Sequence, residues 1–219
     1  MTRISTALLL GAALLPALGP STLAQAETFS AHVWVDNWFA MRVNGDKAAE
    51  DSVPITTERS FNAESFGFEA ERPFVLGLVA KDFKENDTGL EYIGTRRQQI
   101  GDGGAIVQIR DASGALAAVS NADWQCLPIH VAPLDTACAD EADPVAGEGA
   151  CRFEASDEPD GWDTPAFDAS AWPQATVHTA AAVDPKLGFE DVEWADEAEF
   201  IWGPDLQRDN TVLCRLTVE

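Results

Sequence analysis

In 219 residues this chain has one tyrosine, two methionines and three histidines, and only 14 lysines and arginines against 37 acids. The histidines, at positions 32, 130 and 178, are scattered, and no Cys-x-x-Cys pair exists, so the ligand spacing of a zinc site is missing. The shortage of basic residues excludes nucleic acid and anionic lipid as expected partners, because such a surface repels polyanions. Beyond the N-terminus no run is apolar enough to cross a bilayer, which takes about 20 residues, so membrane insertion is not expected. Gly-x-Ser-x-Gly, His-Glu-x-x-His and phosphate-loop motifs are absent too. Carboxylate pairs do not fill that gap: among 37 acids, some pair lies at any separation that glycoside hydrolysis needs. The chain is therefore expected to be no enzyme.

What is present begins with an export signal. Arg3 supplies a positive start, Ala7 to Leu18 a short apolar stretch broken by Pro16, and Ala24-Gln25-Ala26 a small-x-small cleavage pattern. Residues 1–26 are read as a secretory signal peptide and residues 27–219 as one β-sandwich domain, secreted or periplasmic. Removing the signal takes away Arg3 and no acid, leaving 13 basic residues against 37 acidic ones, a net charge of −24. The acids are spread along the chain rather than gathered in a tail. They suit either a solvated surface in a saline habitat or the binding of divalent cations. An even number of cysteines behind a signal peptide reads as disulfides, and four allow three pairings. The favoured one joins Cys138 to Cys151 across a short acidic loop, and Cys126 to Cys214.

The hydrophobic pattern is that of strands. Phe29, Ala31, Val33 and Val35 alternate with Ser30, His32, Trp34 and Asp36. Phe39, Met41 and Val43 continue the alternation up to Asn44-Gly45, a tight-turn pair. Phe74 to Ala80 is apolar on both faces and reads as a central strand. Ala105 to Ile109 and Leu116 to Val119 flank the turn Asp111-Ala112-Ser113-Gly114 as a hairpin. Thr211 to Val218 forms the last strand. Helical periodicity is absent outside the signal, so the fold class is all-β, a sandwich.

Four patterns run in order along the chain: Asp36-Asn37 through Asn44-Gly45; Asp123-Trp124; Gly161-Trp162 leading to Phe167-Asp168-Ala169-Ser170-Ala171-Trp172; and Phe200-Ile201-Trp202 before the last strand. In this order they resemble the galactose-binding-like jelly-roll domains, found as carbohydrate-binding modules and as accessory sandwiches of rhamnosidases and β-galactosidases. Ala169 stands where that pattern has a second Asp. The resemblance implies a single jelly-roll β-sandwich and, as a function, lectin-like binding of a glycan or cell-surface polysaccharide. It also implies a structural calcium as an expected cofactor, since many modules of that family hold one.

The stretch from Asp82 to Gly104 is too long for an ordinary connection and holds the only tyrosine. Candidate ligand contacts are Tyr92, Arg96, Arg97 and Gln98 there, with Trp38 and Arg42 sharing one strand face. Candidate calcium ligands are Asp82, Asp87 and Glu91, an oxygen-rich run that does not match an EF-hand. The other partner considered is a protein at the cell surface, contacted by the sandwich in an assembly. A small glycan hydrolase is the third reading.

Overall fold

The computed structural model describes residues 25–219, so the signal-peptide reading of residues 1–26 falls almost wholly outside the described residues. Fourteen strands follow: β1 (Glu27–Asp36), β2 (Trp38–Val43), β3 (Asp46–Glu50), β4 (Ala63–Ala70), β5 (Phe74–Lys81), β6 (Leu90–Glu91), β7 (Gln99–Ile100), β8 (Gly104–Asp111), β9 (Leu116–Val119), β10 (Gln125–Val131), β11 (Glu154–Ala155), β12 (Thr176–His178), β13 (Phe200–Trp202) and β14 (Asp209–Val218). One four-residue helix, α1 (Ala180–Val183), precedes β13. No helix among the described residues is long and apolar enough to cross a membrane.

The strands form two six-stranded antiparallel sheets. The first runs β12-β13-β8-β1-β4, with β9 on the same edge of β8 as β13; the second runs β11-β10-β14-β5-β2-β3. A short ribbon, β6–β7, stands apart. Alternation sets which face each residue takes. Phe29, Ala31, Val33 and Val35 of β1 and Val107 and Ile109 of β8 point inward and meet Phe39, Met41, Leu76, Leu78 and Val212 of the second sheet in one buried cluster. Each such Val, Leu, Ile or Phe contributes about 1.5–3 kcal/mol on leaving water. β5 lies between β14 and β2, which explains why its run is apolar throughout. At the β2–β3 turn Asn44 and Gly45 take φ values of 52° and 92°, the left-handed conformation that a two-residue hairpin requires.

Both outer faces are covered by loops, and the tryptophans show it. Trp34 faces away from the central core, yet it is fully buried with Phe61, Val183 and Phe200 beneath Phe189 and Trp194. On the outer face of the second sheet Trp162 packs with Ala40, Val79 and Leu213. There Arg215 holds the segment down, donating to the carbonyls of Trp162 (3.1 Å) and Thr164 (2.9 Å). Gly77 permits this close approach: a Cβ at that position would lie 2.8 Å from Asp163 Cβ.

Disulfides join Cys126 to Cys214 and Cys138 to Cys151. The first bridges directly opposed residues of β10 and β14 inside the central core. The second closes a loop whose buried sulfurs pack on Leu90, with Ile93 and Ile100 alongside. Two buried disulfides are the mark of an oxidising compartment.

Candidate functional site

The corner between β1 and β2 organises one end of the sandwich. Asn37 sits there, fully buried, with its N–H and both side-chain polar atoms hydrogen-bonded. Its backbone N–H donates to the Lys81 carbonyl (2.7 Å), its Nδ2 donates to the Glu58 carbonyl (3.1 Å), and its Oδ1 accepts from the Phe83 N–H (2.6 Å). One amide thus draws together the end of β1, the segment before β4 and the start of the Asp82–Gly104 stretch. Asp36, the last residue of β1, lies opposite Gly104 of β8. Asp82 follows β5 and is tied to β14 by donation from its N–H to the Asn210 carbonyl (2.9 Å).

The Asp82–Gly104 stretch folds over this corner and is fixed by the second disulfide loop. Gln98 Nε2 donates to the carbonyls of Ala139 (2.9 Å) and Glu141 (2.8 Å), beside Cys138. Tyr92 has a φ of 52°, a left-handed conformation that side chains other than glycine seldom adopt and that clusters at binding sites. Its hydroxyl donates to Glu58 Oε1 (2.5 Å), and the Arg97 guanidinium stacks 3.8 Å above its ring and donates to the same hydroxyl.

The result is a cavity of about 410 Å³, within the range that holds small ligands. Its wall combines the rings of Tyr92 and Phe61 with Glu58, Glu91, Gln99, Asp102, Arg59, Arg97 and Lys186, and Leu187 stands exposed at its margin. Lys186 Nζ lies 3.7 Å from Asp102 and 5.2 Å from the Phe61 ring centre. Gln99 Nε2 donates to Glu91 Oε2 (2.9 Å).

The carboxyl groups here are not alike. Burial pushes Glu91 up to about 7; Asp102 and Glu58 add to the effect, while the Gln99 hydrogen bond and Lys186 oppose it. Behind it Asp36 is raised well above the ordinary carboxylate range, first by burial and then by Asp102. Asp82, wholly buried, is raised likewise by burial and then by Asp36. Asn210 alone favours its charged form, and neither oxygen of Asp82 nor Nδ2 of Asn210 completes a hydrogen bond. Asp36 Oδ2 has no partner either. Glu58 goes the other way, held below its usual value by the Tyr92 hydroxyl. Gly101 makes room for the innermost acid, since a Cβ there would lie 2.3 Å from Asp82 Oδ2.

Of the residues singled out from sequence, Tyr92 and Arg97 line the cavity. Arg96 is exposed next to it, and Gln98 anchors the loop. Trp38 and Arg42 belong to the outer face of the second sheet. There Lys81 Nζ sits 5.0 Å from the Trp38 ring centre, and Arg42 pairs with Asp163 (3.2 Å) and Glu158 (3.8 Å). The three carboxylates proposed for calcium divide: Asp82 and Glu91 act on each other within the corner, whereas Asp87, half exposed, is held by Lys84 (2.5 Å) and His130 (3.1 Å). Among the described residues no group of three or more His, Cys, Asp or Glu is arranged to hold a metal ion.

Glu58, Phe61, Asp102 and Lys186 escaped the sequence reading. Only Asp102 carried a signal, lying among Gly101, Gly103 and Gly104, where the backbone must pass close to Asp82, Trp202 and Val183. Comparison with protein-family models, with curated proteins and with solved structures gave no match for this chain.

Proposed function

We propose that this protein is an exported, non-catalytic carbohydrate-binding sandwich of the galactose-binding-like jelly-roll type, whose ligand sits in the cavity at the β1–β2 corner. The observation that carries this reading is the make-up of that cavity. Tyr92 gives the wall an aromatic ring that carries Arg97 on one face, Phe61 adds apolar surface beneath Lys186, and the carboxyl, amide and guanidinium groups around them suit the hydroxyls of a pyranose. The leader-like N-terminus, the two disulfides and the acidic surface agree with a site of action outside the cytoplasm. The test is a broad glycan array probed with the purified protein, once with calcium and once with EDTA. A specific signal is expected. Its loss in EDTA would add a calcium ion to the site. A blank array under both conditions would overturn the reading and turn attention to a protein partner at the cell surface.

One observation favours a second reading, glycan hydrolysis. Glu91 is raised to about 7, first by burial and with a contribution from Asp102, and a carboxyl group that keeps its proton near neutral pH is what a glycosidase uses as its general acid. If the site is catalytic, reducing ends accumulate from an array-positive glycan and Glu91→Gln abolishes their release. For a pure binding site no reducing ends appear with either protein.

A further inference from the structure

We propose that the loop between β3 and β4 is closed at its base by a calcium ion held by Asp51, Asn62 and Glu64.

This loop runs from Asp51, just after β3, to Asn62, just before β4, and so joins an edge strand of one sheet to an edge strand of the other. Its two ends meet on Glu64, whose Oε1 accepts from the Ser52 N–H (2.9 Å) and from Asn62 Nδ2 (2.6 Å). Asp51 is fixed by donation from its N–H to the Phe39 carbonyl (3.0 Å), and its Oδ1 accepts from the Val53 N–H (2.8 Å). Two oxygens are left over. Asp51 is 5% exposed, and its Oδ2 is buried with no hydrogen-bond partner. Asn62 Oδ1 is buried and equally without one. Because the Asn62 nitrogen faces the Glu64 carboxylate, its oxygen has to turn away from it.

Both leftover atoms are acceptors. Among the described residues the one buried side-chain donor without a partner, Asn210 Nδ2, belongs to the corner beside Asp82. No lysine or arginine among the described residues forms an ion pair with Asp51 or Glu64. Nor does a proton resolve the matter at neutral pH. Burial, opposed by the Val53 N–H and helped by Glu64, raises Asp51 only to about 6. A buried carboxylate with no cationic partner is costly, and coordinating a metal ion is one of the few ways to keep it. The donors on offer are two carboxylates and an amide carbonyl, all hard oxygens. They come from the ends of a loop rather than a rigid octahedral cage, which favours calcium over magnesium. The acids expected from sequence to bind calcium, Asp82, Asp87 and Glu91, lie elsewhere and divide between the corner and the surface.

The same loop carries Glu58, Arg59 and Phe61 into the wall of the corner cavity, so an ion at its base would steady that wall. Three protein ligands imply a modest affinity, a Kd of about 0.1–1 mM, as in extracellular calcium modules.

The experiment is calorimetric titration of calcium chloride into the purified protein, with melting temperatures taken in about 5 mM calcium and in EDTA. One site per chain is expected, at least tenfold tighter for calcium than for magnesium, with a rise in melting temperature of about 2–9 °C. Asp51→Asn and Asn62→Ala, each shown to be folded by a cooperative melt in EDTA, are expected to lose the site. Glu69→Gln, which removes an exposed acid from β4, is expected to keep it. The inference is overturned by a parent that shows no saturable heat and no calcium-dependent melting, or by equal affinity for magnesium. It is also overturned by a site that survives both Asp51→Asn and Asn62→Ala, or one lost in Glu69→Gln. The glycan-binding reading stands apart from each of these results, because the array decides it.

Discussion

Exchanging Cys126 and Cys214 together for alanine is expected to lower the melting temperature by roughly 9–18 °C. The bond closes 88 residues of chain, and on the chain-entropy treatment a loop of that size is worth about 4.6 kcal/mol. For a domain of this length each kcal/mol corresponds to about 2–4 °C. Both cysteines are 1% exposed and stand opposite each other across β10 and β14, so their loss also leaves a gap in the central core. β10 depends on the bridge more than β5 does, because its register with β14 is interrupted after Pro128. The check is thermal unfolding of the double variant against the parent under non-reducing conditions. A fall of less than about 3 °C would mean that the core holds β10 in place unaided. Breaking Cys138–Cys151, a separation of 13 residues, should cost about 3 kcal/mol by the same treatment. Its larger consequence is for ligand binding, because Gln98 ties the Tyr92 loop to Ala139 and Glu141.

Asp82→Asn is expected to stabilise the protein at pH 8 by about 1–3 kcal/mol, or roughly 2–12 °C in melting temperature. The Asp82 carboxyl group is buried without a hydrogen bond, and its folded-state pKa is raised well above the unfolded value. A raised acid holds its proton in the folded state after the unfolded chain has released it. Stability is therefore lost as pH climbs from the unfolded value through the folded one. Asp51, raised to about 6, and Glu91, raised to about 7, act in the same direction over that interval. The parent should thus melt higher at pH 5 than at pH 8. The variant, whose amide cannot ionise, should match or trail it at pH 5 and exceed it at pH 8. A parent insensitive to pH, with a variant weaker at both values, would contradict this account of the corner.

These two sites show what the sequence could disclose. Period-2 alternation assigned Phe29 through Asp36 to a strand, the Asn44-Gly45 pair marked the β2–β3 hairpin, and the unbroken apolar run from Phe74 identified the central strand. Alternation tells which face a residue takes and is silent about what covers that face. Trp34 and His32 share the outer side of β1, yet a loop containing Phe189 buries only Trp34. For the same reason Trp38 and Arg42, a fair candidate pair by strand phase, lie on the opposite sheet from the cavity, among structural contacts. The glycine-rich stretch after Asp82 did announce Tyr92 and Arg97. Its partners come from segments as distant as Glu58 and Lys186, joined through Asn37 and a lysine–aspartate pair that no spacing rule foresees. Asp82, Asp87 and Glu91 are close in sequence, but the turn between them gives Asp87 to Lys84 and His130 at the surface.

The central claim is that glycans bind in the cavity at this corner. The most direct test is titration of an array-positive glycan into the parent, into a Tyr92→Ala/Arg97→Ala double variant and into Trp38→Ala. The account predicts a loss of at least tenfold, about 1.4 kcal/mol, for the double variant with its melting temperature nearly unchanged, and parental affinity for Trp38→Ala. Parental affinity in the double variant, or its loss on changing Trp38 alone, would place the ligand elsewhere and contradict it.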